Sequence, residues 1–516
     1  MNFRDNPIIY HILTDRFAAV PGVAACAQGE LHDNTVGTFH GGTFVGITRK
    51  LREGWFTALG VNALLISAPY RQIIGWVPGA DGQFRHYGYH GYYALDYTVT
   101  EARFGSPADF AELVATAHAC GLKVLLDIVM NHPGYPDLET LATLQIDALA
   151  DGWQAATPAD YYAYLDRDSP ALADWWGRDW VRAELAGYAP GGDDDHSALL
   201  FGLPDFKTEQ AETVGLPKFF QQLQTEARDL PATTVRGYLV EWLCAWVRQY
   251  GIDGFRCDSA KHVEPASWLA LKRGAQQALQ EWRREQGVVA GEPFWMLAEV
   301  FGHGIERSPH FHFGFDSIIN FELQQLLHTS TDLEVLYQRY AERVGRAARD
   351  GVVSYLSSHD TYLLQQVSPF IDATTLLLAP GGVMILYGEE SARTPSSHQL
   401  TDATQNARSN MNWRTVNTAA YAHWCKLTQF RSQHAAIAIG SHHMLSRSPY
   451  VFVRSLKDKE DWVLVGLHLE QPYTVAVDEF FPDGECLRDA YGGAMLVVAD
   501  GHVTLPPGDV VLVEKA

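Results

Sequence analysis

Three acidic residues define the chemistry that this chain could perform, because each follows a short apolar segment. Asp258 stands two residues after Arg256, Glu299 ends the segment Trp-Met-Leu-Ala-Glu, and Asp360 follows His359 directly. Three carboxylates of this kind can supply a nucleophile, a general acid/base and a transition-state stabiliser for a displacement reaction. Any one of them alone would indicate no more than a salt bridge, but the ordered set predicts catalysis.

The residue types around two of these carboxylates favour different roles for them. Side chains alternate faces along a strand, so Arg256 and Asp258 share one face while Phe255 and Cys257 share the other. A neighbouring guanidinium favours the ionised form of a carboxyl group, which a nucleophile needs. Glu299 would lie between two other carboxylates, which should raise its pKa and suit it to donate a proton. We therefore predict Asp258 as the nucleophile and Glu299 as the acid/base.

Apolar segments alternate with amphipathic stretches along the chain, a pattern typical of a parallel α/β fold. Eight candidate strands are predicted at 8–13, 62–67, 123–129, 252–258, 294–300, 315–320, 352–358 and 383–387. The acidic residues lie at the C-terminal ends of such segments, where (β/α)₈ barrels place their active sites. The sequence thus predicts a (β/α)₈ TIM barrel, with helices including 51–59, 107–120, 235–250, 265–285 and 419–433.

The barrel pattern is interrupted once and then replaced near the C-terminus. Residues 133–206 are rich in Gly, Pro, Asp and aromatic residues, and an unstructured loop of that length is improbable in a compact domain. Beyond residue 438 the pattern becomes one of alternating β-formers. We predict a barrel at 1–132 and 207–437, an inserted subdomain at 133–206 after the third strand, and an antiparallel β-sandwich domain at 438–516.

Composition excludes some classes of partner. The net charge of −22 would repel nucleic acids and anionic membranes, and no apolar run reaches the ~18–20 residues that span a bilayer. The six cysteines lack metal-type spacing and are expected to be free thiols. With no signal peptide visible, the cytoplasm is predicted; the periplasm or secretion is the alternative if a leader has been removed.

The acidic segments, taken in order, resemble the four signature regions of the α-amylase family of glycoside hydrolases. These regions read Asp127-Ile-Val-Met-Asn131-His132, Gly254-Phe-Arg256-Cys-Asp258-Ser-Ala-Lys261-His262, Ala298-Glu299-Val300 and Ser358-His359-Asp360. Further stretches, such as Trp175-Trp-Gly-Arg-Asp-Trp-Val-Arg182 and Leu203-Pro-Asp205, are similar to the periplasmic α-amylases of the enterobacterial maltose system. The similarity extends over nearly the whole chain.

The resemblance implies a role for each matching residue. Asp360 would stabilise the transition state, and Asp127 would be architectural, paired with Arg256. Tyr92, in Tyr89-His90-Gly-Tyr92, would stack on the sugar undergoing cleavage. The substrate-binding residues implied in this way are His90, Tyr92, His132, Arg256, Lys261, His262 and His359.

The implied activity is hydrolysis of internal α-1,4 bonds in starch or maltooligosaccharides with retention of configuration. Lys261-His262 follows the predicted nucleophile at the spacing of α-amylases, which favours this activity. Two alternatives are kept, because both would use the same triad: a 4-α-glucanotransferase-like transglycosylase and an exo-acting α-glucosidase. A non-catalytic relative is disfavoured because all three carboxylates are present. No nucleophile elbow, P-loop or dinucleotide fingerprint accompanies a strand.

The resemblance also implies a structural Ca²⁺ ion, for which oxygen ligands are preferred. The implied ligands are Asn131, Asp194, Asp205 and the backbone carbonyl of His262. For the run that contains Asp194, a solvated turn is the alternative interpretation. Ser358 stands where chloride-dependent relatives carry Asn, so a chloride site is not expected.

Overall fold

The architecture is that of a computed structural model of the 516-residue chain. It describes residues 2–20, 35–151, 157–288, 290–326, 332–345, 350–364 and 369–516. In this part of the chain, no helix combines the length and the apolar character needed to cross a membrane.

Eight parallel strands close into a barrel, each paired with the next in chain order and the last with the first. These strands are β1 (Ile8–Ile12), β2 (Ala63–Ile66), β3 (Lys123–Ile128), β4 (Gly254–Cys257), β5 (Trp295–Ala298), β6 (Ser317–Asn320), β7 (Gly351–Tyr355) and β8 (Gly382–Leu386). All eight predicted strands are confirmed, and so is the (β/α)₈ barrel. Each observed strand is shorter than the apolar run that predicted it or is shifted by one residue.

The two faces of each barrel strand bury side chains in different layers. Leu125 and Leu297 belong to a compact cluster inside the barrel. Asp127 and Glu299 each follow one of these leucines by two residues, so they lie on the same face of the strand. The alternation of strand side chains therefore carries the inward face up to the barrel mouth. Cys257 has the opposite parity and is buried between strands and helices, as predicted.

Helices surround the barrel and follow the predicted pattern with one break. The α-helices are Thr14–Phe17, Phe44–Arg52, Trp55–Leu59, Pro107–Ala119, Leu138–Thr143, Tyr161–Tyr164, Val235–Tyr250, Pro265–Glu285, Glu322–Leu326, Leu333–Gly345, Pro369–Leu377, Thr404–Ala407, Thr418–Gln433 and Ala435–Ile439. The helix predicted over 51–59 is two helices instead, because Gly54 takes a φ of 78° between them, a left-handed conformation that ends a helix. Ser106 and Asp109 form a capping box at the start of Pro107–Ala119.

Short elements follow β3, where the inserted subdomain is expected. Its helices are Leu138–Thr143 and Tyr161–Tyr164, and Val181–Arg182 pairs antiparallel with Asp205–Phe206. Trp180 of this subdomain stacks on Trp242 of the barrel helix Val235–Tyr250, with ring centroids 5.7 Å apart and planes 10° apart. Buried aromatic rings thus join the insert to the barrel, a stabilising use of their large apolar area.

The C-terminal part of the chain is antiparallel β structure. A six-stranded sheet contains, in spatial order, Ser441–Arg447, Tyr450–Leu456, Asp461–Leu469, Gly508–Lys515, Cys486–Asp489 and Met495–Val497. A second sheet pairs Tyr473–Ala476 with His502–Leu505, and both sheets contribute to one apolar cluster. The predicted C-terminal β domain is confirmed, whereas its boundary and those of the insert stay predictions.

Shorter elements complete the described chain. Two further hairpin-like pairs join Tyr70–Gln72 with Ala94–Thr100 and Trp76–Pro78 with Arg85–Tyr87. The 3₁₀ turns are Phe3–Asp5, Ala80–Gly82, Pro170–Asp174, Leu200–Gly202, Lys218–Gln222, Ala260–His262, Pro309–Phe313 and Lys457–Lys459. Five cysteines are free thiols, as predicted; Cys26 lies outside the described residues.

Candidate active site

The ends of neighbouring barrel strands place two of the predicted catalytic residues. Asp258 is the first residue after β4, and Glu299 is the first residue after β5. The amide of Asp258 donates to the carbonyl of Ile128 at 2.9 Å, and that of Glu299 donates to the carbonyl of Cys257 at 3.0 Å. Ladder hydrogen bonds therefore continue up to both residues, so the barrel itself fixes their backbone positions.

Asp360 and His359 lie in a loop rather than at the end of a strand, which corrects the sequence prediction. β7 ends at Tyr355, and the amide of Asp360 donates to the Ser358 hydroxyl at 3.1 Å. Arg408 holds this loop, since its Nε donates to the His359 carbonyl at 2.9 Å and its Nη2 to Asp360 Oδ1 at 3.2 Å. The apolar run continued past the last ladder contact and so suggested too long a strand.

One guanidinium, that of Arg256, joins the carboxylates of the site. Its Nη1 lies 2.8 Å from Asp127 Oδ1 and 2.9 Å from Asp258 Oδ1, and its Nη2 lies 2.8 Å from Glu299 Oε1. Asp360 Oδ2 is 3.6 Å from the same Nη2. The Arg256 side chain is only 3% exposed. A single buried cation thus orients four carboxylates, and the predicted pairing of Asp127 with Arg256 is present.

The three predicted catalytic carboxyls have different proton affinities. Burial raises the pKa of Asp258 to about 6, against the opposing effect of Arg256. Burial also raises the pKa of Glu299, to about 7. For Asp360 burial acts in the same direction, but His359, Arg408 and Arg256 outweigh it and hold the pKa below its ordinary value. Near neutral pH, Glu299 is therefore the carboxyl best able to carry a proton, and Asp360 stays ionised.

The physical cause of the raised pKa of Glu299 differs from the one inferred from sequence. The neighbouring carboxylates Asp258 and Asp360 do raise it, but desolvation by burial is the larger effect. Similarly, Arg256 favours the ionised form of Asp258, as expected, yet does not overcome burial. Sequence spacing revealed the charged neighbours but not the depth of the site.

Three nearly parallel rings form one side of the site. Tyr92 stacks between His90 and His359, with centroid distances of 5.3 Å and 5.4 Å and interplanar angles of 20° and 3°. The Tyr92 hydroxyl donates to Asp127 Oδ2 at 2.6 Å and lies 2.6 Å from His359 Nε2. The predicted sugar-stacking residue is thus held rigidly by the same carboxylate that holds Arg256.

Two buried histidines present an unused ring nitrogen at this site. His90 Nδ1 accepts a hydrogen bond from the Tyr92 amide at 3.0 Å, and His132 Nδ1 lies 3.2 Å from Asn131 Nδ2. Nε2 of each ring has no hydrogen-bond partner among the described residues. Burial lowers the pKa of His132 to about 3 and that of His90 well below its usual value. Both rings are therefore neutral, and each can offer an Nε2–H to a ligand hydroxyl.

Lys261 and His262 lie on the turn that follows Asp258. The ammonium of Lys261 is 3.6 Å from Asp195 Oδ1, and His262 Nδ1 is 2.7 Å from the Asp195 carbonyl. These contacts join the end of β4 to the inserted subdomain. Both residues line the cleft, and their contact with substrate stays a prediction.

One cleft of about 730 Å³ is lined by most of the predicted catalytic and substrate-binding residues. The exceptions are Arg256 and His359, which are buried. Sequence reasoning missed other residues of the cleft lining, among them Arg408, Phe201 and Phe301. Phe201 and Phe301 are exposed by 94% and 61%, although they are large and apolar. Arg408 gave no signal because its partners lie almost fifty positions earlier in the chain.

The residues of the predicted calcium site show a mixed set of contacts. Asn131 is buried, and its Oδ1 has no hydrogen-bond partner among the described residues. Asp205 is close to it, since the Phe206 amide donates to the Asn131 carbonyl at 2.9 Å. Asp205 Oδ2 also lies 2.8 Å from Arg182 Nη1. An unpartnered buried oxygen beside a buried carboxylate fits a hard cation, with Arg182 as a competitor for the carboxylate.

Asp194 differs from Asn131 and Asp205 in its exposure to solvent. It is exposed, and its carboxylate accepts hydrogen bonds from the His196 amide at 2.9 Å and the Ser197 hydroxyl at 2.7 Å. Among the described residues there is no cluster of three or more His, Cys, Asp or Glu side chains that could hold a metal. Any ion here would therefore rely on amide and backbone oxygens as well.

Comparison with known proteins places the chain in a family. The model of the α-amylase catalytic domain matches residues 11–188. The chain is 40% identical over 492 residues to the periplasmic α-amylase of Escherichia coli (strain K12), covering 89% of this chain and 71% of that protein. It is 26% identical to a cyclomaltodextrin glucanotransferase of Thermoanaerobacterium thermosulfurigenes, covering 96% and 65%.

A solved structure agrees at the level of the fold. The α-amylase of Geobacillus thermoleovorans in complex with acarbose superposes with a TM-score of 0.68 at 19% identity, over 100% of this chain and 99% of that one. At this identity the match shows the fold alone. The 40% identity over most of the chain, with the arrangement of Asp258, Glu299 and Asp360 around Arg256, leads to one conclusion: the chain belongs to the α-amylase family of glycoside hydrolases.

Proposed function

We propose that the protein is a retaining α-glucan hydrolase that cleaves internal α-1,4-glucosidic bonds of starch or maltooligosaccharides. One observation carries the proposal: at the mouth of the barrel, Asp258 and Glu299 contact the two terminal nitrogens of Arg256 and line a cleft of about 730 Å³. The similarity to α-amylases supports this substrate class.

The carboxyl groups divide the steps of double displacement between them. Glu299, with the pKa raised to about 7, protonates the leaving glycosidic oxygen. Asp258, ionised above about pH 6, attacks the anomeric carbon and forms a glycosyl ester. Glu299, now a carboxylate, then takes a proton from the water that hydrolyses this ester. Asp360 stays ionised and stabilises the positive charge that develops on the sugar ring.

The contacts of Arg256 with both carboxyl groups also indicate the stereochemistry of the reaction. Asp258 Oδ1 and Glu299 Oε1 lie 2.9 Å and 2.8 Å from nitrogens of one Arg256 side chain. This favours the short carboxyl separation of retaining enzymes, about 5–5.5 Å, over the about 6.5–9.5 Å that leaves room for a water in inverting enzymes. Retention of the α-configuration is therefore part of the proposal.

Chromatography of the products from maltoheptaose, soluble starch and pullulan tests the proposal. A set of short oligosaccharides released from starch and maltoheptaose supports internal hydrolysis of α-1,4 bonds. Products longer than maltoheptaose would instead support transglycosylation, and release of glucose alone would support an exo-acting α-glucosidase. No turnover of any of the three would favour a non-catalytic relative.

The rate should depend on pH through the two displaced pKa values. Catalysis needs Asp258 ionised and Glu299 protonated. As pH increases, kcat/KM should therefore rise near pH 6, where Asp258 loses its proton, and fall near pH 7, where Glu299 loses its proton. A pH profile of kcat/KM on maltoheptaose measures both limbs. With α-maltosyl fluoride, whose leaving group needs no proton, the alkaline limb should weaken. A flat profile between pH 5 and 9 would contradict these assignments.

We also propose that Ca²⁺ binds where the insert meets the barrel. Asn131 Oδ1, Asp205 and the backbone carbonyl of His262 would hold it, with Asp194 as a further candidate. The support is the unpartnered Asn131 oxygen and the burial of Asp205, which raises the pKa of Asp205 to about 7 despite Arg182. A bound divalent cation would stabilise the ionised form of this carboxylate and fix the insert beside the cleft.

Removal of calcium should lower the melting temperature, because an ion that binds only the folded state stabilises it by mass action. Thermal melts with excess chelator, and again after calcium is restored, measure the effect. Asp205→Ala should make the chelator redundant. Arg182→Met, the matched control, keeps the oxygen ligands and should retain the response. An unchanged melting curve, with no metal detected by elemental analysis, would contradict the proposal.

The cellular location stays a prediction, with the cytoplasm and an exported compartment as the two alternatives. The E. coli relative is periplasmic. Fractionation of cells that express the native gene distinguishes the two.

A further inference from the structure

Phe201, at the rim of the cleft, is the most exposed of the large apolar side chains that the structure describes. Its exposed fraction is 94%, and it lines the cleft together with Asp258 and Glu299. Burying a Phe side chain normally stabilises the fold, a contribution that this residue does not make. Exposed apolar surface within a cleft is typical of a ligand-binding surface.

The backbone at Phe201 is also unfavourable for this residue type. Phe201 and Gly202 are the central residues of a tight turn in which the Leu203 amide donates to the Leu200 carbonyl at 2.9 Å. Both have positive φ, 52° and 78°. Turns with positive φ at both central positions favour Gly, Asn or Asp, and a bulky residue there is strained. Neither packing nor local conformation accounts for a Phe at this position.

The turn is nevertheless held in place. The Tyr135 hydroxyl donates to the Phe201 carbonyl at 2.8 Å, and Tyr135 packs edge-on against Tyr93, with centroids 5.1 Å apart. Tyr93 in turn contacts His90, with centroids 4.5 Å apart. The ring of Phe201 is therefore presented from a turn that is connected, through two tyrosines, to the stacked rings of the active site.

We propose that Phe201 is a binding platform for a glucosyl unit of the α-glucan outside the cleaved linkage, and that it sets the preferred chain length. The proposal rests on the proposed function and extends it to one residue. The less polar face of a pyranose ring matches a flat aromatic side chain, and burying this ring beneath a sugar recovers the apolar area that folding leaves exposed. Substrates too short to reach the turn should not sense the residue.

Binding measurements in the Glu299→Gln background, which retains the site and should turn over at least about 10³-fold more slowly, test the proposal. Phe201→Asn is the test variant because Asn tolerates positive φ, so its melting temperature should be unchanged or higher. By isothermal titration calorimetry, we expect Phe201→Asn to weaken maltoheptaose binding about tenfold. Maltotriose binding should change by less than about twofold. Phe201→Trp should retain maltoheptaose affinity.

A matched control and the cleavage pattern separate this inference from the proposed function. Tyr162 is an aromatic residue of the same insert, 65% exposed but outside the cleft lining, so Tyr162→Ala should leave maltoheptaose affinity unchanged. In the active enzyme, Phe201→Asn should shift the bond cleaved in end-labelled maltoheptaose. If Phe201→Asn keeps the parent affinity for maltoheptaose and the parent cleavage pattern, the role of Phe201 as a binding platform is wrong, and the proposed function is unaffected. Failure of the parent protein to bind or cleave maltoheptaose would overturn the proposed function together with it.

Discussion

Asp258→Asn and Glu299→Gln should each lower kcat on maltoheptaose by at least about 10³-fold, because each removes a covalent or proton-transfer step. The two variants should differ with α-maltosyl fluoride. Glu299→Gln should regain formation of the glycosyl-enzyme, since fluoride leaves without a proton. Asp258→Asn should not, because no nucleophile remains. Steady-state and burst kinetics on both substrates measure these effects.

Thermal stability supplies the control for this pair. Burial raises the pKa of both carboxyls, so in the folded protein their ionised forms are disfavoured relative to the unfolded chain. Stability therefore falls as pH rises from the unfolded pKa through the folded pKa of each group. The uncharged amides of Asp258→Asn and Glu299→Gln do not ionise and so do not lose this stability. Both variants should therefore melt at the parent temperature or higher at pH 7. Rates within tenfold of the parent for either variant would contradict its assignment.

Arg256→Met should have the second large effect, on stability and activity together. It leaves Asp127, Asp258 and Glu299 buried without the cation that contacts all three. Removing one partner of a buried ion pair typically destabilises by about 3–5 kcal/mol. Loss of the group that orients both catalytic carboxyls should also lower kcat, by about 10²–10³-fold. Thermal melts and kinetics on maltoheptaose measure the two effects.

A shift in pH dependence distinguishes this role from a purely structural one. Arg256 lowers the pKa of both Asp258 and Glu299, so in Arg256→Met both limbs of the kcat/KM profile should move to higher pH. Arg256→Lys keeps the charge but loses the two-nitrogen fork. It should preserve more stability than Met and show a smaller pH shift. A variant with the parent pH profile would show that Arg256 does not set these proton affinities.

Most of the fold could be predicted from the sequence because the barrel depends on local patterns. Apolar runs such as 123–129 identify strands buried on both faces. The parity that places Leu125 inside the barrel also places Asp127 at its mouth. The same reasoning put Arg256 and Asp258 on one face and Cys257 on the other, as observed. Strand alternation and the position of strand ends were sufficient for these residues.

What could not be predicted depends on contacts between distant segments. Arg408 holds the loop of His359 and Asp360, yet nothing in its own neighbourhood distinguishes it from any other arginine. β7 ends at Tyr355, opposite Met384 of β8, although the apolar Leu356 follows in the chain. Phe201 could be noticed only once its exposure was known. Burial, which dominates the pKa of Glu299, likewise emerges only in the assembled barrel.

The anomeric configuration of the first product tests the central claim most directly. Proton NMR of maltoheptaose hydrolysis, recorded before mutarotation, shows which anomer of the new reducing end is released. Double displacement through Asp258, with Glu299 as acid and then base, predicts that the α-anomer appears first and the β-anomer only later by mutarotation. Initial release of the β-anomer would mean a single displacement by water and would contradict the roles assigned to both residues.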